Sequence, residues 1–360
     1  MSAAAAEQQT GQRTPVDWGI AVSTAQKLIK PGPVVPMEEA ERAVEQLRDA
    51  TGIAEMHVRE LTGLGMDLPL LPGDVVDRRS WVKAAADGLS ALTDGALPAG
   101  SNRTMGGVLA GSAGVQAGMV LAYLGGRVLG QYDPFGGDGV GGRLLLVAPN
   151  IMAAQQALDV PAEDFQMWVC LHECTHRLQF TAVPWLRDYF AGEVATFLTG
   201  LDETATGAFT KLPEVVKQMR RRGDDTDPGS SGPIGLVELL QSPQQRAVFD
   251  RLIALSTLLE GHADHVMDAV GPTVVPSVST IRARFTARRR GGGLLDRILR
   301  TLLGVDAKVK QYAAGAAFTR YVVDEVGMSG FNRVWESQET LPLRAEIGDP
   351  AAWVRRIHDR

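Results

Sequence analysis

The chain has 360 residues, of which 45% are hydrophobic and 22% charged, and its formal net charge is −6. That length can bury a sizeable core, and so ordinary a composition excludes a collagen-like or wholly disordered chain. The acidic balance gives no support for a nucleic-acid partner, and only two cysteines leave no disulfide framework to expect.

In chain order, Met1 to about Thr14 is rich in Ala and Gln and lacks the charged-then-apolar plan of a signal peptide. The expectation is a disordered tail over 1–16, one domain over 17–360, and a cytoplasmic location. That domain admits two lobes, a helical part over 17–132 and a metal-site part over 133–360. Glu38 to Leu61 and Arg79 to Leu92 carry the spacing of amphipathic helices. Between Arg103 and Arg127 stand 23 uncharged residues, with Gly107/Gly111 and Gly114/Gly118 at GxxxG spacing. The length could cross a bilayer. However, Gly and Ala dominate, and Ser112 and Gln116 interrupt, so the reading is a centrally buried helix and no membrane association. Asp133 to Gly139 reads as a flexible lip, and Arg143 to Ala148 as a short buried or edge strand.

The next segment carries the chemistry. Leu171-His172-Glu173-Cys174-Thr175-His176-Arg177 has HExxH spacing inside a helix predicted from Pro161, with Glu163 and Asp164 at its positive end and Pro184 beyond its stop. Residues four apart share a helix face, so His172 and His176 can hold one metal ion while Glu173 stands beside it as a general base. Two satisfied core histidines would be the bland account, but that leaves a carboxylate buried beside them with no reason to be there. Cys170 and Cys174 lie on the same helix, too poorly disposed for a disulfide, and are expected to be reduced thiols.

A catalytic zinc normally has three protein ligands. Ser242-Pro243-Gln244-Gln245 reads as a capped start to a helix ending at Gly271-Pro272, and Glu260-Gly261-His262-Ala263-Asp264-His265 lies within it. Glu260 and Asp264 share a side, so one can bind the metal while the other accepts the free ring N–H of a ligating histidine. Glu193 and either of His262 and His265 remain rival third ligands; the two histidines otherwise read as half-exposed polar residues, or as oxyanion donors if the helix frays at Gly261. Loops are expected at Gly223 to Gly232 and at Ala287 to Gly293, the latter carrying the solvated run Arg288-Arg289-Arg290. Asp306 to Val326 and Pro350 to His358 read as C-terminal helices. Tyr189, Tyr312 and Arg320 are available as oxyanion donors, with nothing to place them.

HExxH followed on a later helix by Glu-xxx-Asp resembles the gluzincin class of zincin metallopeptidases. The combination of HECTHRLQF, Pro184-Trp185-Leu186-Arg187, LLEGHADHVMD over 258–268 and GFNRVWES near 330 resembles a family of zinc-dependent metallopeptidases from actinobacteria and chloroflexi. Some of its members are associated with biosynthesis of a deazaflavin coenzyme. The resemblance covers the chain from about Asp17 onward. It implies a mainly α (α+β) zincin-like core with the HExxH helix, a small β element and added helices, and it makes His172, His176 and Glu260 the ligands of one Zn2+ per chain. It also implies a substrate-aligning role for the strand at 143–148. Glu260 follows His176 by 84 residues (176 to 260), several-fold more than is usual in that class, so the intervening segment is an insertion.

The expected activity is zinc-dependent hydrolysis of an amide in a peptide or small molecule, with Glu173 moving the proton. The alternative is a zincin-like binding protein that has lost hydrolysis and keeps a structural metal. An integral membrane protease is a third possibility, resting on the Gly-rich helix.

Overall fold

A computed structural model describes residues 16–94, 106–137, 141–200, 242–290 and 305–359. Residues 1–15 of the expected N-terminal tail, the loop at Gly223 to Gly232 and Gly291 to Gly293 lie outside them, as do the side chains of Arg288, Arg289, Arg290 and Tyr312. Helices α1 (Trp18–Leu28) and α2 (Met37–Thr62) come first; Asp17 caps α1 by accepting from the Ile20 N–H, and Gly63 ends α2 at φ 71°, a left-handed turn that glycine adopts without a Cβ penalty. After β1 (Asp74–Val76) come α3 (Arg78–Asp94), α4 (Gly106–Gly125), β2 (Gly130–Asp133) and β3 (Arg143–Val147), then α5 (Ala148–Leu158) and α6 (Ala162–Thr181). Residues 186–200 are helical. Then follow α7 (Pro243–Ala269), α8 (Val278–Arg290), α9 (Val305–Phe331), α10 (Arg344–Gly348) and α11 (Pro350–His358). The mainly helical architecture with a small β element is therefore present.

The three strands form one sheet in the order β1-β3-β2, with β1 parallel and β2 antiparallel to β3. Alternation along β3 sends Leu144 and Leu146 to one core and Leu145 and Val147 to another. The larger core gathers α2, α5, α6 and α7 with the C-terminal helices; the smaller lies under α1, α3 and α4. The segment expected as a buried or edge strand is thus the central strand, and β2, a segment with no strand signal of its own, forms one edge, with β1 at the other.

Three expectations need correction. Helix α4 is not central. Its glycines do allow close approach, since a Cβ on Gly114 or Gly118 would come within 2.6 Å of the Asp17 or Ala21 carbonyl oxygen of α1, but Val115 and Met119 face solvent on its other side. No helix among the described residues is long and apolar enough to cross a membrane. The expected lip after Asp133 is a tied turn where it is described: Asp133 accepts from the Phe135 N–H, and Arg187 donates to the Pro134 carbonyl. At the other end of the chain, α8 continues to Arg290, through the start of the loop expected from Ala287.

Helix α6 is clamped to α2 by groups that are almost wholly buried. Glu55 of α2 accepts from Arg59 at 2.5 Å and stands 3.3 Å from Nη1 of Arg177, an ion-pair contact outside hydrogen-bond geometry. The two guanidinium groups also donate to carbonyls of the segment after α2, Arg59 to Leu68 and Pro69 and Arg177 to Leu71. Cys170 and Cys174 are free thiols beside this clamp, Cys174 lying 3.4 Å from the Thr51 carbonyl oxygen. Burial pushes the Cys170 thiol up to about 12. Both thiols pack α6 against α2.

Candidate metal centre

The metal-site face of α6 looks at α7. Capping by Ser242 and Gln245, which close the reciprocal box the sequence predicts, starts α7, and its third ligand candidate sits five turns later. Nε2 of His172 and Nε2 of His176 are 3.1 Å apart; Glu260 Oε2 lies 3.7 Å from the first and Oε1 4.0 Å from the second. Four tetrahedral ligands at zinc distances of about 2.1 Å would be separated by about 3.4 Å. The His-His-Glu donor set therefore fits a zinc ion, and it is the one cluster of this kind among the described residues. All three side chains are partly exposed, which leaves room for water or substrate beside them.

Glu193, the nearer rival in sequence, is held by Arg251 at 2.9 Å. His265 is half-buried, and burial together with Arg320 lowers its proton affinity despite nearby Asp268 and Asp324. His262 departs from expectation. It is fully buried, with its ring packed on Phe331 and Trp335, because Gly261 lies inside an unbroken helix and turns this side of α7 into the core. Burial, with His265 and His176 nearby, pushes the His262 imidazole down to about 3. A histidine that resists protonation when folded adds stability above its ordinary value and loses it as the pH falls towards the folded value. Unfolding of the metal-free protein at a series of pH values between about 6.5 and 3 should therefore show a steep loss of stability that is flatter in His262→Phe.

Glu260 and Asp264 share a side of α7, but the carboxylate of Asp264 is paired with Arg282 at 2.9 Å, and Arg282 also holds Asp268. The ring nitrogens of the candidate ligands have other partners. Nδ1 of His172 stands 3.2 Å from Met267 Sδ, and Nδ1 of His176 is 2.9 Å from Gln179 Oε1. Of the oxyanion candidates, Tyr189 stacks edge-on against Trp185, and Arg320 is on the exposed side of α9 near His265.

Glu173 points towards the edge strand β2. A Cβ added to Gly130 would meet Glu173 Cγ at 2.6 Å and Cδ at 2.8 Å, so only glycine lets β2 lie this close to the carboxylate. Burial and the Glu260 charge push the Glu173 carboxyl up to about 8, with the Tyr132 backbone N–H pulling the other way. Gly130→Ala should keep the metal ligands in place, displace the Glu173 carboxylate and lower kcat by about 10²-fold, the cost of roughly an ångström of misplacement. Steady-state kinetics with a parallel zinc assay check this.

The close approach of α7 and α9 is equally strict. A Cβ on Gly261 would fall inside the Gly315 backbone, and one on Gly315 inside the Thr257 carbonyl. Glu260 stands next to that crossing point. Gly315→Ala should therefore cost about 1–3 kcal/mol in urea unfolding and weaken zinc binding by moving the third ligand.

Two histidines four apart on one helix, a glutamate from a second helix, and a buried carboxylate against an edge strand form a candidate metal centre of zincin type. The chain belongs to the zincin-like metallopeptidase family, whose model matches residues 16–354. It is also similar to a protein from Chloroflexus aurantiacus, described as a candidate hydrolase with a novel fold: the two are 32% identical, the match covers 96% of this chain and 99% of that one, and the TM-score is 0.66. No curated protein matches the chain.

Proposed function

We propose that the protein is a zinc-dependent hydrolase that cleaves amide bonds, a metallopeptidase, with His172, His176 and Glu260 holding one zinc and Glu173 as general base. The observation that carries this reading is the placement of Glu173. A metal that only joins two helices needs no carboxylate beside it, yet this one is kept next to the ligands at the expense of burial and is accommodated by a glycine in the facing strand. When bound, zinc supplies Lewis acidity for the amide carbonyl and acidifies water. Glu173 takes the proton from the attacking water and returns it to the leaving nitrogen, which its position between the histidines and β2 permits. The backbone groups on the outer edge of β2 that Glu173 does not engage can align an extended peptide past the metal.

The test is cleavage of a mixed peptide library by the zinc-loaded protein, read by mass spectrometry. Cleavage at defined bonds that stops on chelation and returns with zinc is expected. A zinc-loaded, folded protein that leaves the library and small amides intact would contradict it.

A further inference from the structure

Gln179 is completely buried and bridges the two helices that supply the ligands. Its side-chain amide touches three groups: Oε1 faces His176 Nδ1 at 2.9 Å, and Nε2 faces the Leu259 carbonyl oxygen at 3.0 Å and His262 Nδ1 at 3.1 Å. A backbone carbonyl can only accept, so the end of the amide that faces Leu259 must be the NH2 group. Turning the amide over would set oxygen against oxygen. With Nε2 fixed, one of its two hydrogens goes to Leu259 and the other to His262 Nδ1, which must then be the unprotonated nitrogen. The oxygen that remains can only accept, and its partner is His176 Nδ1. His176 is thereby obliged to carry its ring proton on Nδ1, which leaves the lone pair on Nε2, the nitrogen 3.1 Å from His172 Nε2.

We propose that Gln179, backed by His262, is a positioning residue for the metal centre: it fixes the tautomer and ring orientation of His176 and ties that ligand to the helix bearing Glu260. This deepens the zinc reading above and rests on it. Leu259 and His262 flank Glu260 by one residue on one side and two on the other, so the same amide that orients one ligand also holds the backbone around another. His262 acts through Gln179. Among the described residues its other ring nitrogen has no hydrogen-bond partner, and its ring is packed against Phe331 and Trp335, so the contact it offers to a polar group is the acceptor at Nδ1. The usual acceptor for a ligating histidine is a carboxylate, a backbone carbonyl or water; here a neutral amide takes that place, while Asp264 is engaged by Arg282.

Two measurements test the proposal. The first needs no variant and no metal: 15N chemical shifts of the His176 ring in the zinc-free wild type, at a pH well above the ordinary histidine range. A single Nδ1–H tautomer is expected, and a predominant Nε2–H form would overturn the proposal. The second is zinc affinity by chelator competition, with folding monitored by circular dichroism. Gln179→Ala should bind zinc about 10–100-fold more weakly, His262→Phe should lose several-fold, and the double variant should be no weaker than Gln179→Ala alone. Folded Gln179→Ala with a zinc Kd within about threefold of wild type would overturn the positioning role, because a merely structural amide would change stability without changing affinity. If Gln179→Ala does not fold, the tautomer measurement decides. Failure of the underlying reading looks different: the wild type itself then takes up no zinc.

Discussion

Replacing Glu173 by glutamine leaves one zinc per chain in place and lowers kcat by about 10²–10⁴-fold, with little change in KM. The metal survives because Glu173 is not among the ligand atoms; His172, His176 and Glu260 converge without it. The fold survives because the amide has the shape of the carboxyl group and fits the same gap beside Gly130. What is lost is the ability to accept a proton from water, and no described neighbour of Glu173 is placed to replace it: Tyr132 offers a backbone N–H, and Glu260 is one of the three candidate ligands. Metal content and steady-state kinetics on a peptide found in the library assay read both halves. A glutamine variant with near wild-type kcat would remove Glu173 from the mechanism.

The second large effect is on stability. Glu55→Gln leaves Arg59 and Arg177 buried between α2 and α6 with no counter-charge among the described residues, and it should destabilise the metal-free protein by about 3–5 kcal/mol, the range for breaking a buried ion pair by removing one partner. The Arg59 and Arg177 side chains expose 10% and 2% of their surface, so water cannot take over from the carboxylate. Lys83 and Asp87 provide the internal comparison. Their contact is as short, at 2.6 Å, but both side chains are more than half exposed, and Asp87→Asn should cost no more than about 1 kcal/mol. Urea unfolding without zinc measures both, since bound metal would add its own stabilisation and mask the difference. Equal losses in the two variants would show that burial does not set the strength of the clamp.

Most of what the sequence states about the centre concerns residues related by helical spacing. His172 with His176, and Ser242 with Gln245, are local pairs whose geometry follows from the helix alone. Glu260 could be named because a helix with a clear start and stop carried it, and because the motif resembled a family. Gln179 was within reach by the same logic, being three residues from His176 and so on the same side of α6, but its value depends on Leu259 and His262 across the helix interface. Spacing within one helix does not reveal that packing. Asp264 shows the converse: its spacing from Glu260 is right, but Arg282, eighteen residues away, holds it. Nothing in Gly130-Gln131-Tyr132-Asp133 announces a strand. It becomes one by pairing with β3, and it needs glycine first because Glu173 lies behind it. The Glu55 clamp was equally hidden, since a charged residue on the inner face of α2 contradicts its amphipathic pattern until Arg177 is brought opposite.

The most direct measurement is metal content together with X-ray absorption at the zinc edge, on protein purified under metal-replete conditions and compared with Glu260→Ala. One zinc per wild-type chain is predicted, ringed by nitrogen and oxygen donors with two imidazoles among them, and zinc binding should be strongly weakened in the variant. A wild type without zinc, or a zinc with sulfur neighbours from Cys170 or Cys174, would contradict the His172–His176–Glu260 centre.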